Sequence, residues 1–143
     1  MTYKAKRVLP IDALEGDKRI REEYGRAMAL ITIVEDSLKR IIQEKIKIHR
    51  EKIENLTLGG LIELATFLPD YLFIDLKKLN SKRCLITHGE VTEIYDTDKE
   101  ESYNAIVKRE DIIKLDLTFL SDISELAGLL AAALDDLLEK YNP

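Results

Sequence analysis

Apolar positions in the first third of the chain fall at Ile20, Tyr24, Ala27, Ile31, Val34, Leu38 and Ile41, in alternating steps of four and three. That spacing lines one face of an α-helix. Leu30, Ile33, Ile42 and Ile46 widen the stripe, and Asp17 is a suitable N-cap, so the pattern predicts a helix from there to about His49. The polar stretch after it gives no clear stop. A helix of ~30 residues is ~45 Å long, more than one small core covers alone. It needs partner helices, from this chain or from a second subunit.

A second helix is predicted from Thr57, whose hydroxyl can cap it, turning Leu58, Leu61, Ile62, Ala65 and Leu68 inward until Pro69 closes it. A third starts at Asp70, runs through Tyr71, Phe73, Ile74, Leu76 and Leu79, and ends at His88 with Gly89 in the C′ position. Between residues 91 and 107 the helical pattern fails, and two β-prone runs, VTEIY and SYNAIV, flank the polar DTDKEE. The seam returns at Leu120, Ile123, Ala127, Leu130, Leu134, Leu137 and Tyr141, as a second long helix. Ala127, Gly128, Ala131, Ala132 and Ala133 on that helix suit close packing against a neighbour. The expected fold class is all-α: an antiparallel four-to-five-helix bundle with a small β-hairpin or ordered loop around residues 91–107. One domain covers residues 1–143, with its core in 17–141.

Composition narrows the class. The 143 residues are 45% hydrophobic and 34% charged, the balance of one globular domain whose core needs no disulfide or structural metal. Cys84 is the single cysteine and cannot form an intrachain bridge. Residues 1–10 carry charge but no apolar run of signal-peptide length, and the run LAGLLAAAL (residues 126–134) is too short to span a membrane. A cytoplasmic protein without membrane association is expected.

Charge is unevenly spread. Residues 1–88 hold 17 basic and 13 acidic groups, residues 89–143 hold 5 and 14, and the total is −5. Lys39, Arg40, Lys45, Lys47, Arg50 and Lys52 form one basic tract, and Lys77, Lys78, Lys82 and Arg83 a second. Either could meet phosphates. Glu44, Glu51 and Glu54 are interleaved with the first tract, so a solvated, self-paired helix surface accounts for it as well. No zinc-finger spacing or basic zipper marks a DNA-binding domain.

Candidate chemistry is sparse. His49 and His88 are the only histidines, and neither has a glutamate three residues earlier, so no metal site or cofactor is expected. Walker, Rossmann and nucleophile-elbow patterns are missing, and Gly59-Gly60 stands alone. Tyr71, Tyr95 and Tyr103 are expected as core or hairpin aromatics, because no aromatic-basic alternation forms a base-stacking platform. One stretch remains: Leu79-Asn-Ser-Lys-Arg83-Cys-Leu-Ile-Thr-His88-Gly89-Glu90, where an arginine precedes a histidine by five residues at a predicted helix end.

This stretch resembles the HEPN superfamily, small α-helical domains defined by Arg-x4–6-His. The leucines at 72, 76 and 79, the Leu-Gly-x-Leu-Ile run at Leu58 to Ile62, and a long first helix with Glu35 near its middle add to the resemblance, which covers residues 20–90. It implies a metal-independent endoribonuclease acting as a homodimer, with Arg83 and His88 of both chains lining one cleft. Glu35, Lys82, Cys84 and Thr87 would stand around the pair as binding residues. It further implies RNA as substrate, and an antitoxin protein as partner if the chain is the toxin half of a toxin–antitoxin or defence module. Imidazole, with a pKa of about 6.5, can accept the ribose 2′-hydroxyl proton, and guanidinium can hold charge growing on the phosphate. Two positions depart from the family pattern: Cys84 follows the arginine where a polar residue is usual, and Glu90 stands where some relatives carry a tyrosine. The alternative is a non-catalytic HEPN-like regulator or scaffold that binds protein or nucleic acid. In that case Arg83 would pair with an acid such as Glu35, and His88 would cap the helix end.

Overall fold

The computed structural model describes residues 3–7, 18–108 and 111–141. In chain order the elements are β1 (Tyr3–Arg7), α1 (Lys18–Ile46), α2 (Arg50–Ile53), α3 (Leu58–Leu64), α4 (Asp70–His88), β2 (Glu90–Asp96), β3 (Glu101–Lys108), β4 (Asp111–Lys114) and α5 (Leu117–Tyr141). The seams that predict α1 and α5 are the buried faces: Ala27, Ile31, Val34, Leu38 and Ile41 on one, Leu120, Ile123, Ala127, Leu130 and Leu134 on the other. Leu58, Leu61 and Ile62 of α3 and Leu72, Leu76 and Leu79 of α4 complete this core. Asp17, expected as the α1 cap, lies outside the described residues.

The fold is not the expected all-α bundle. The 91–107 region is a true hairpin, and it belongs to a four-stranded antiparallel sheet of order β1-β2-β3-β4. β1 lies along β2 with Tyr3 opposite Asp96 and Arg7 opposite Thr92, and β4 lies along β3 with Ile113 opposite Ile106. Both outer strands are only four or five residues long, too short for alternation to announce them, and β1 comes from a stretch that carries charge but no apolar run. Val91 and Ile106 face inward with Leu115 and Leu120, forming a second apolar cluster with half-buried Ile20, Tyr24, Leu85, Ile86 and Phe119. The sheet therefore sits on the first turns of α1 and α5 and the last turns of α4.

Helix direction also differs from an antiparallel bundle. Tyr24 packs in the cluster of Leu120, the Ser37 hydroxyl donates to Asp135 Oδ1 (3.2 Å), and Lys45 Nζ lies 5.5 Å above the Tyr141 ring. Contacts that advance together along both helices mean that α1 and α5 run parallel, and this pair makes the largest helix contact in the fold.

Helix ends are set locally. α1 stops at Ile46 because Lys47 turns left-handed (φ 54°). Thr57 occupies the N-cap of α3 without a side-chain hydrogen bond, and α3 ends at Leu64, well short of Pro69. Pro69 instead opens α4, its carbonyl accepting from Leu72 N and Phe73 N at 3.1 Å. The Asp116 carboxylate caps α5 by accepting from Phe119 N at 2.9 Å.

By length and composition alone α5 could cross a membrane, with mean hydropathy 1.5 over its most apolar window. Here it is a core helix, its inner face buried on α1 and Asp122, Glu125, Asp136 and Glu139 on its outer side.

Candidate functional site

α4 carries the Arg–His stretch to the junction of helices and sheet. Lys82 Nζ lies 5.7 Å over the Phe119 ring at the start of α5, while Leu85 and Ile86 pack in the sheet-side cluster. The helix is regular to its end, with Gly89 N donating to Leu85 O at 2.9 Å, and the chain passes from His88 through Gly89 directly into β2. The sheet thus fixes the end of α4 and the direction in which its last turns face.

Arg83 is half-buried. Its Nε and Nη2 both donate to Asn80 Oδ1, at 3.4 Å each, and Nη2 lies 3.8 Å from Cys84 Sγ, which itself donates to Asn80 Oδ1 at 3.9 Å. The pairing with an acid such as Glu35, which the non-catalytic alternative calls for, is not formed: Glu35 is half-buried on α1, and no ion pair joins it or any other described carboxylate to Arg83. Arg83 is therefore oriented by a neutral amide rather than by a carboxylate.

The other expected site residues divide. Cys84 is half-buried beside Asn80, and Thr87 is exposed with its hydroxyl donating back to the Arg83 carbonyl at 3.0 Å. His88 is exposed in the last turn and makes no hydrogen bond among the described residues, neither to the helix end nor to Arg83. A five-residue spacing on an unbroken helix leaves the two side chains ~140° apart. The side chain of Glu90 lies outside the described residues. Asn80 is the functional candidate that sequence reasoning missed; its signal is its place one turn before Arg83, where a short polar side chain reaches the guanidinium.

The basic tract at 39–52 is built differently. Arg50 Nη2 donates to Asp36 Oδ1 at 2.7 Å, Arg50 Nε donates to Glu54 Oε2 at 2.6 Å, and Arg40 Nε lies 3.1 Å from Asp36 Oδ2. Lys39 Nζ donates to the Glu54 carbonyl at 2.7 Å. Hydrogen bonds from Arg50 hold the Asp36 and Glu54 carboxyls below the usual carboxylate range, and the Asp36 bond in turn raises Arg50. Most of this positive charge is compensated within the protein. A shallow groove of about 180 Å³ at this same end of the helix pair, lined by Arg40, Gln43, Glu44 and Leu138, is likewise mixed in charge.

His49, within that tract, is exposed. Tyr71 is not the core aromatic expected: it is 65% exposed, because the inward face of α4 is taken by Leu72, Leu76 and Leu79. Among the described residues no three His, Cys, Asp or Glu side chains gather as a metal site would require. The chain matches no known family model, no curated protein and no solved structure.

Proposed function

We propose that the chain is a metal-independent endoribonuclease of the HEPN type, acting in the cytoplasm as a homodimer in which Arg83 and His88 line a shared cleft. The observation that carries this reading is Arg83: half-buried, held by the neutral Asn80 amide, and without an ion pair among the described residues. Arg50, locked between two carboxylates, shows how a structural arginine in this same chain looks by contrast. An oriented guanidinium with uncompensated charge suits a phosphodiester.

In the proposed reaction neutral His88 takes the 2′-hydroxyl proton, the 2′ oxygen attacks phosphorus, and Arg83 holds the charge that grows on the phosphoryl oxygens. The bond to the 5′ oxygen then breaks, and that oxygen takes up a proton. The products are a 2′,3′-cyclic phosphate and a 5′-hydroxyl. As the toxin component of a toxin–antitoxin or defence module, such a nuclease would need an antitoxin protein to restrain it.

Purified wild type, Arg83→Ala and His88→Ala are to be incubated with mixed RNA in chelator and the product ends mapped. Cleavage by wild type alone, with cyclic-phosphate ends and a loss of at least about a hundredfold in each variant, is the expected result. Equal cleavage by all three, or none by wild type, sinks the enzyme reading. A second reading keeps the fold as a non-catalytic regulator or scaffold that binds protein or nucleic acid through this face. It is favoured by the solitary state of His88, whose tautomer no hydrogen bond among the described residues fixes.

A further inference from the structure

Asn80 touches more than Arg83. Its Oδ1 collects Arg83 Nε, Arg83 Nη2 and the Cys84 thiol, while its other side faces α3. There Gly59 stands so close that a Cβ on it would lie 3.2 Å from Asn80 Nδ2 and 3.7 Å from Oδ1. Few side chains tolerate a methyl group at 3.2 Å, so an alanine would push the amide by a few tenths of an ångström. The two bonds to Arg83 are already at 3.4 Å, and such a push would break or redirect them.

We infer that Asn80 is the positioning residue for Arg83, and that Gly59 is the clearance in α3 that lets its amide adopt the required orientation. The chemistry favours an amide over other acceptors at this place. A carboxylate would orient the guanidinium equally well but cancel its charge, as Asp36 and Glu54 do for Arg50. An apolar side chain would leave a long, flexible arginine free to rotate. One neutral oxygen accepting from Nε and Nη2 fixes the guanidinium plane and leaves the other N–H groups to meet an anion. The polar contact to Arg83 thus comes from position 80, beside the small, half-buried Cys84. Gly59-Gly60, an isolated pair in the sequence, gains a reason for its first member.

The catalytic consequence rests on the nuclease reading; the positioning itself is tested without it. Full-length protein with 15N-labelled arginine gives an Nε–Hε signal for Arg83, assigned by its loss in Arg83→Lys. The expected exchange with solvent is slower for that proton than for the exposed Arg21. It speeds up about tenfold in Asn80→Leu, the equivalent of one ordinary hydrogen bond. Gly59→Ala, which reaches the same amide from the other helix, moves it in the same direction. Asn80→Asp keeps exchange slow yet lowers RNA cleavage at least about tenfold, mainly in kcat, because the guanidinium is ordered but neutralised.

An Arg83 proton that exchanges equally fast in wild type and Asn80→Leu overturns the inference, whatever the RNA assay shows. Wild type that protects this proton but cleaves no RNA overturns the nuclease reading and leaves the positioning role standing. Full cleavage by Asn80→Asp, with exchange still slow, refutes the argument that a neutral partner is required.

Discussion

A Cβ on residue 89 would overlap Ile106 Cγ2 of β3 and the Leu85 carbonyl oxygen, so the glycine there is a matter of space. By its place in the sequence Gly89 is a C′ residue, where glycine ordinarily supplies a left-handed turn. Its φ is −73°, open to any residue, and what excludes a side chain is the sheet pressing on the helix end. That pressure is tertiary and invisible in a local motif. Gly89→Ala is expected to destabilise the fold by about 1–3 kcal/mol, read as a lower urea midpoint, because neither the backbone oxygen nor the buried Ile106 can withdraw cheaply. Lys47 shows the reverse failure: a left-handed residue ends α1, but lysine carries no such signal, and the sequence offers no stop before His49. At the site, Arg83 and His88 stand out by type and spacing, whereas Asn80 does not. Asparagine is ordinary in a polar stretch, and its meaning here comes from the bonds to Arg83 and from Gly59, twenty-one residues away in sequence and adjacent only in space.

At the scale of elements, long amphipathic seams are legible in the sequence and short or two-sided pieces are not. α1 and α5 present one continuous apolar stripe each, while α4 buries Leu72, Leu76 and Leu79 yet exposes Tyr71 and Ile74, so its inner face cannot be read from apolar positions alone. The small residues of α5 prove to have separate uses. Ala127 and Ala131 are buried in the core, whereas a Cβ on Gly128 would meet nothing. Gly128→Ala is therefore expected to raise stability by about 1 kcal/mol through helix propensity, measurable as a higher thermal midpoint.

The ion-pair network joining α1 to α2 makes a pH-dependent prediction. Asp36 and Glu54 are held below their ordinary pKa by Arg50, so the folded state binds protons less readily than the unfolded chain. Their contribution is complete above the usual carboxylate range and is lost as pH falls through the lowered values. The stability gap between wild type and Arg50→Met should be widest near neutral pH and narrow in acid. A gap that stays constant from about pH 7 to about pH 3 in urea titrations would refute the linkage.

On the scale of the whole molecule, the sheet and the parallel pair together decide where the Arg–His stretch faces. α1 and α5 start side by side, the sheet covers those first turns, and the last turns of α4 are wedged against the same sheet-side cluster. The seams alone could not reveal this, because a stripe of apolar residues has no direction and fits a parallel or an antiparallel neighbour equally well. The consequence for assembly is direct. A helix that stays regular to His88 keeps Arg83 and His88 on different sides of one chain, so on the nuclease reading a phosphate touching both would draw them from two copies. Wild type should then sediment at twice the 16.4 kDa chain mass at micromolar concentration. Arg83→Ala and His88→Ala chains, each inactive alone, should recover part of the RNA cleavage when mixed and allowed to exchange. In such a mixed dimer the arginine of one chain still meets the histidine of the other. A site complete within a single chain gives no recovery at any mixing ratio, and that outcome would locate both groups in one subunit.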